Sequence, residues 1–600
     1  MEYLDNLNKF DASIIALEKG IQNSVSVNKL RFLLSSARLQ YKRIEHFITY
    51  FQPEAINRYI NGAPLPKTEE ANPDHTIIPS MGLQALDEVI FEEDPDLEEV
   101  DFLVQELIYY WRPIYQFERS RRFQHRYVFE SCRYQILRIY TLGLTGFDTP
   151  GSVNAIPEAI VSLGELSKTI SSYRQMFEGT TSLVRAIEEF KSYLNGHNDF
   201  ENLDRLFILR NFVNPLYSGI YDLQSTLQIE MVDEVDPTLH AVNYDAKYLF
   251  SQDFLNKSYY AQIADSDLND PKKIQLGKIL FHDPILSKEV NMACVSCHDP
   301  TQAFTDGLKK SKSNTPGMTT DRNSPTLINA VYSDKYFYDL REYDLERQVK
   351  HVVMDSKEFN MDFIDLADRL KTSNEYVELF KDAYGDRDRY GISSWSISNA
   401  LAAYVASLAS WNSPFDQYAR GELTTLPDNV IRGHNLFMGK AACGTCHFAP
   451  TFGGTVPVEY RESESEVLGV PAFPDTVDAT LDEDPGRINS GKIRDELPHF
   501  AFSFKTTTVR NVALTAPYMH NGVYDSLEQV LDFYNRGGGA GIGIELEHQT
   551  LPDSPLNLTQ SEQKDIIAFL ESLTDTVGMT DQNVSLPAFG NEWDNRKQTY

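Results

Sequence analysis

Two stretches of this 600-residue chain repeat one pattern, Cys294-Val-Ser-Cys297-His298 and Cys443-Gly-Thr-Cys446-His447, and between them they use four of the five cysteines. Two residues between the thiols let both sulfurs reach one porphyrin edge and add across its vinyl groups. The adjacent histidine then lies beneath the iron as its proximal ligand. With 5 Cys and 13 His in the chain, accident would supply only about 10⁻³ such matches. Paired cysteines also serve redox dithiols and zinc sites. Zinc would need the two pairs to converge on one ion, whereas each pair here carries its own histidine and the two stand far apart in the chain. The motifs therefore predict two covalently bound c-type haems, with His298 and His447 as iron ligands. Cys132 is left alone, so there is no disulfide framework.

A chain of this length exceeds a single hydrophobic core, and three to four units are expected. Up to about residue 230 apolar residues recur at helical spacing, as in 28–51, 100–117, 127–142, 182–194 and 203–213. These predict a bundle of six or more helices. Residues 62–82, rich in Pro, Gly and charge, read as a long loop. Periodicity stops over 232–250, which places the main boundary near 240. Beyond it the two motifs lie in loop-rich stretches separated by helical patterns such as 362–370 and 395–411. Each follows an amphipathic segment (276–281 and 433–440), as in a duplicated small cytochrome. The fold class expected is mainly α: a helical bundle over 1–240, cytochrome c-like haem domains over 250–425 and 426–580, and a tail over 581–600.

The formal charge of -32 argues against a nucleic-acid surface and for a solubilising one. No run of about 18 apolar residues occurs, so no membrane-spanning helix is expected. The amino terminus lacks a basic stretch followed by an apolar core and does not read as a signal peptide. Because haem attachment of this kind takes place outside the cytoplasm, the expected location is periplasmic or otherwise exported, any export signal being absent from this chain. His46, His125 and Cys132 fall in amphipathic helices and read as packing.

Five stretches in order, LGKILFHDPILS (276–287), ACVSCHDPTQAFTDG (293–307), RNSPTLINA (322–330), RGHNLFMGKAACGTCH (432–447) and VRNVALTAPYMHNGVYDSLEQVLDFYNRGG (509–538), resemble the bacterial di-haem cytochrome c peroxidases and MauG. By that resemblance the haem on Cys294, Cys297 and His298 is the peroxidatic one. Gln348 and Glu358, separated by the family's ten-residue interval, then stand above it, Glu358 as acid-base group. Many of these peroxidases carry a loop histidine about sixteen residues after the first motif, which blocks the iron at rest. Here Asn314 occupies that position, so an open, five-coordinate first haem is expected. The haem on Cys443, Cys446 and His447 would transfer electrons, its distal ligand falling on Tyr534, as in MauG, rather than on methionine. A phenolate there favours ferric iron and a low potential. Tyr338 takes the place of the usual inter-haem tryptophan, His520 is expected near the second haem or its propionates, and one calcium would use Asn323, Thr515 and Pro517.

The resemblance implies reduction of hydrogen peroxide to water, with electrons from a small redox protein such as a cytochrome c relayed through the second haem. A homodimer is compatible with it. Two other readings stand beside it: a MauG-like oxidase using a high-valent di-haem state to oxidise a partner protein, and a non-enzymatic electron carrier or sensor.

Overall fold

The computed structural model describes the chain apart from residues 1, 64, 69–76, 176–178, 237, 386–390, 580–583 and 597–600. It is mainly helical, with only two short two-stranded antiparallel sheets among the described residues. One pairs Lys67–Thr68 with Ile77–Ile78, inside the stretch read as a loop. The other pairs Ser465–Val467 with Ser503–Lys505.

The first helices, Glu2–Gln22, Val27–Lys42, Leu83–Phe91 and Leu97–Glu118, close around a core that includes Leu7, Phe10, Leu34, Tyr41, Leu86, Val104 and Trp111. The spacing of Leu7, Phe10, Ile14 and Leu17 puts all four on one helical face. The run at 28–51 is broken in two, Val27–Lys42 and Glu45–Phe51. At the break lies a buried ionic cluster that apolar periodicity does not register. Lys42 Nζ reaches Glu45 Oε1 at 2.6 Å and Asp148 Oδ2 at 2.7 Å, and Arg38 grips Glu158 through two hydrogen bonds of 2.7 and 3.0 Å. His46 and Cys132 are buried in this region, and His125 Nδ1 lies 2.8 Å from the Tyr173 hydroxyl.

The later helices of the bundle, His125–Arg138, Ala155–Ser171, Thr180–Gly196 and Asn214–Thr226, share one continuous apolar core with Phe437, Met438, Phe452 and Phe569. The change in sequence style near 240 thus does not coincide with a break in packing. Tyr140 and His434 meet across this contact at 3.2 Å, and Asn435 joins Asp204 and the amide of Leu206.

Each motif belongs to a pair of crossing helices. Pro271–His282 crosses Ser394–Ser407 at Gly277, where a Cβ would stand 1.9 Å from the Ala400 carbonyl oxygen. Asp428–Met438 crosses Gln560–Ser572 at Gly433, where a Cβ would stand 1.8 Å from the Asp565 carbonyl oxygen. Only glycine allows such approach of two backbones. The expected tail, 581–600, falls outside the described residues at 581–583 and 597–600. Its described part returns to the first pair, where Arg596 binds both carboxylate oxygens of Asp283 at 2.7 and 2.8 Å and Phe589 packs on Tyr376. No helix among the described residues is long and apolar enough to cross a membrane.

Candidate active site

Both motifs open with a single 3-10 turn, Cys294–Ser296 and Cys443–Thr445. The histidine amide closes back on the first cysteine carbonyl, at 3.0 Å for His298 and 2.9 Å for His447. In each case ring Nδ1 donates to a carbonyl of the following loop, Phe304 at 3.0 Å and Phe452 at 3.2 Å. A histidine fixed in this way keeps its lone pair on Nε2, the tautomer an iron ligand requires. Burial pushes the thiols of Cys294, Cys297 and Cys443 up to about 12 and raises that of Cys446 well above its ordinary value. No two of the five cysteines form a disulfide.

A cavity of about 1160 Å³ opens beside the first motif, lined by Cys294, Cys297 and His298, by Gln348 and Glu358, and by Tyr338. It exceeds an ordinary small-ligand pocket, and with a free Nε2 and two thiols on its wall its donor set suits haem. Asn323, Thr515 and Pro517 line the same space. The Asn323 amide Nδ2 donates to the Leu308 carbonyl at 2.8 Å, which leaves its oxygen free to accept.

Gln348 lies on the helix Leu345–Met354, capped by Asp344, and Glu358 on the turn that follows. Burial and the neighbouring Asp355 raise the Glu358 carboxyl to about 7, with Arg341 opposing the rise. Asn314 is used structurally: its Nδ2 donates to the Ser356 carbonyl at 2.9 Å and its backbone N–H donates to the Lys357 carbonyl at 3.1 Å. The loop that carries it is thereby tied to the segment that carries Glu358.

At the second motif, Tyr534 comes from the helix Leu527–Asn535 and is half-buried near Cys446, Cys443 and Glu466; desolvation first, then these neighbours, raises its phenol. Glu466 was not legible as a site residue. It lies on the strand Ser465–Val467, is fully buried, hydrogen-bonds Thr550 and Cys446, and is raised to about 7 by burial and by Glu464. Nothing in its local sequence, Glu464-Ser465-Glu466, separates it from a solvated charge. The bundle seals this motif from one side. A Cβ on Gly444, between the two cysteines, would meet Met438 at 2.9 Å and Thr145 at 3.4 Å, and Phe147 packs edge-on against Phe448.

Tyr338 is half-buried on the cavity wall, its carbonyl accepting from the Lys505 amide at 2.7 Å. His520 is held by Asp482 Oδ1 at 3.1 Å and stacks on Phe504 at 3.6 Å, while its carbonyl accepts from the Asn323 amide at 2.7 Å. These contacts set it beside Asn323, whose neighbour Ser324 bonds the Cys297 carbonyl of the first motif at 2.9 Å. Sequence reading also passed over Arg341 and His351, which line the cavity with Glu358.

A family model described as di-haem cytochrome c peroxidase matches residues 271–424. The cytochrome-c peroxidase IdrP2 of Pseudomonas sp. (strain SCT) is 32% identical over 332 residues, 52% of this chain and 84% of that protein. The methylamine utilization protein MauG of Methylorubrum extorquens is 31% identical over 305 residues, 50% of this chain and 78% of that protein. The cytochrome c551 peroxidase of Pseudomonas aeruginosa is 30% identical over 300 residues, 50% of this chain and 78% of that protein. With the two motifs on matching turns and the cavity beside the first, these likenesses agree: the chain belongs to the di-haem cytochrome c peroxidase and MauG family.

Proposed function

We propose that this enzyme reduces hydrogen peroxide to water with electrons from a small redox protein, at the cavity beside Cys294, Cys297 and His298. The observation that carries this reading is Glu358, a half-buried carboxyl on the wall of that cavity, raised to about 7 by desolvation and by Asp355. Bound through thioethers to the four motif cysteines and through Nε2 of His298 and His447, two c-type haems would supply the iron redox chemistry. Each turnover consumes one peroxide, two electrons and two protons and yields two waters. The Glu358 carboxylate takes the proton from the nearer peroxide oxygen and returns it to the departing one. Gln348 offers an amide for orienting the peroxide.

The matching glycine crossings support two cytochrome c-like haem domains, 250–425 and 426–580, following a bundle over 1–240. Tyr534 is the distal ligand candidate in the second, and Tyr338 the aromatic between the two. Asn323, Thr515 and Pro517 would hold one calcium through oxygen atoms, and c-type haem places the protein in an exported compartment. Replacing Glu358 with Gln tests the central assignment. Peroxide consumption should fall by about 10²- to 10⁴-fold while both haems stay attached, and an unchanged rate would remove Glu358 from the mechanism.

Tyr534 beside Cys446 favours a second reading, a MauG-like oxidase whose electrons come from residues of a partner protein. The two share the Glu358 step and differ in whether a small reduced cytochrome is turned over.

A further inference from the structure

The helix Leu97–Glu118 buries Val100, Leu103, Val104, Leu107 and Trp111 in the core of the first helices. Its opposite side is bare. Glu98, Phe102, Glu106, Tyr109, Pro113 and Phe117 follow one another at intervals of three or four, which places them on one helical face. The rings of that face stand well out of the protein, Phe102 at 51% exposure, Tyr109 at 66% and Phe117 at 59%. An aromatic stripe of this kind is more than the single apolar residues any surface carries. Charge on the helix is sorted by position. Glu98, Glu99 and Glu106 lie toward its start, Arg112, Arg119 and Arg122 toward and just beyond its end. Arg119 caps the helix in helical conformation, φ -58° and ψ -24°, and so continues the face. The helix dipole rewards such sorting only within the first and last turns, and Glu106 and Arg112 lie between them. Arg121 and Arg126 are taken by Glu118 and Glu230. Among the described residues no ion pair uses Arg112, Arg119 or Arg122, nor Glu98, Glu99 or Glu106.

We propose that this face is the seam of a homodimer, in which two copies of the helix Leu97–Glu118 pack antiparallel about a two-fold axis at Tyr109. A contact between identical surfaces must be self-complementary, and this stripe is. Turned end for end about Tyr109, it sets Glu106 opposite Arg112, Glu99 opposite Arg119 and Phe102 opposite Phe117 of the second copy, with Tyr109 against its own counterpart. Placed parallel, the same face would set Glu on Glu and Arg on Arg. A uniformly anionic surface, such as a lipid bilayer, would be attracted by one end of the stripe and repelled by the other, so a second copy is the occupant that satisfies both ends. Exposed ion pairs contribute little each; the rings supply the adhesion, and the charges fix direction and register. The helix offers a seam about 33 Å long, short for a permanent interface, so the association is reversible and weakened by salt. Its buried side belongs to the core of the first helices, not to the core shared with Phe437 and Phe452, so the contact engages neither Cys-x-x-Cys-His unit and is independent of the reading of Glu358.

The test is sedimentation velocity of the full-length holoprotein over about 1 to 100 μM, at low salt and at about 1 M salt, where the Debye length falls to about 3 Å. At low salt the wild type should pass from monomer to dimer within that range, and at high salt the midpoint should rise by about tenfold or more. An acidic variant, Arg112→Glu with Arg119→Glu, and a basic variant, Glu99→Lys with Glu106→Lys, should each stay monomeric alone and regain the dimer when mixed in equal amounts, which misfolded chains would not do. Cysteines report the direction. Tyr109→Cys, facing its own copy, should cross-link under mild oxidation, and Phe102→Cys, facing Phe117, should not. A wild type that stays monomeric throughout, variants that dimerise alone as well as the wild type does, or a mixture that remains monomeric would each overturn the proposal. Cross-linking through Phe102→Cys to the extent seen with Tyr109→Cys would overturn it too.

Discussion

The two Cys-x-x-Cys-His units are alike on the proximal side and unlike on the distal side. Each has a 3-10 turn, a histidine bonded through Nδ1 to a loop carbonyl, and a helix crossing at a glycine. Beyond the histidines they diverge. The first opens into a large cavity bearing Gln348, Glu358, Arg341 and His351, whereas the second packs Tyr534 and Glu466 against its cysteines and lies under the bundle at Thr145 and Phe147. The difference teaches that haem attachment and iron chemistry are separable here. The shared turns hold His298 and His447 alike, each ready to bind a haem, while the segments that cover each site would decide whether a small oxidant has room.

The comparison is broken most severely at the shared crossings. A Cβ at Gly277 or Gly433 would stand within 2 Å of a carbonyl oxygen, far inside contact distance, so either Gly→Ala change should cost more than about 3 kcal/mol. Thermal unfolding should show a similar loss for both, and a neutral effect at one alone would end the claim that the two units share a scaffold. Next in size is the chemical difference. Glu358→Gln should slow the reaction with peroxide by about 10²- to 10⁴-fold, while Tyr534→Phe should leave that step within about threefold of wild type and alter only the optical spectrum of the second haem.

The same asymmetry has a pH signature. The Glu358 carboxyl is raised to about 7, and its base form is the one that accepts the peroxide proton, so the rate should climb as pH rises through about 7. The Glu358→Gln variant should lose that climb. Its stability consequence has the opposite sign. Because the folded value lies above the unfolded one, the protonated form favours the fold, and this contribution is lost as pH rises from the ordinary carboxyl range through about 7. The smallest effect concerns the cover of the second unit. Tyr140→Phe deletes the hydroxyl that meets buried His434 and should cost about 1 kcal/mol, read as a small drop in Tm with the peroxide reaction unchanged.

The two Cys-x-x-Cys-His motifs were legible in the sequence, because the covalent linkage they predict needs fixed residue types at fixed spacing. Gln348 and Glu358 were legible only through the resemblance; without it Glu358 reads as one charge among several in Asp355-Ser-Lys-Glu358. Helices were found, but their breaks were not. The interruption after Lys42 is set by an ionic cluster whose members come from Arg38, Lys42, Glu45, Asp148 and Glu158, and pairings of that range leave no local periodicity. The packing of the bundle onto the second unit escaped for the same reason, since a linker-like sequence near 240 says nothing about which surfaces meet. Glu466, Arg341 and His351 carry no motif at all, and only the fold brings them to the two sites.

The central claim is that peroxide reacts at the first unit and that electrons then arrive through the second. It is tested most directly by mixing fully oxidised holoprotein with hydrogen peroxide in a stopped-flow spectrometer and then adding a reduced small cytochrome c. The account predicts immediate reaction of the ferric protein, without prior reduction, followed by oxidation of the donor over many turnovers. A long-lived oxidised protein that leaves the donor untouched would contradict it and move the electron source to a partner protein.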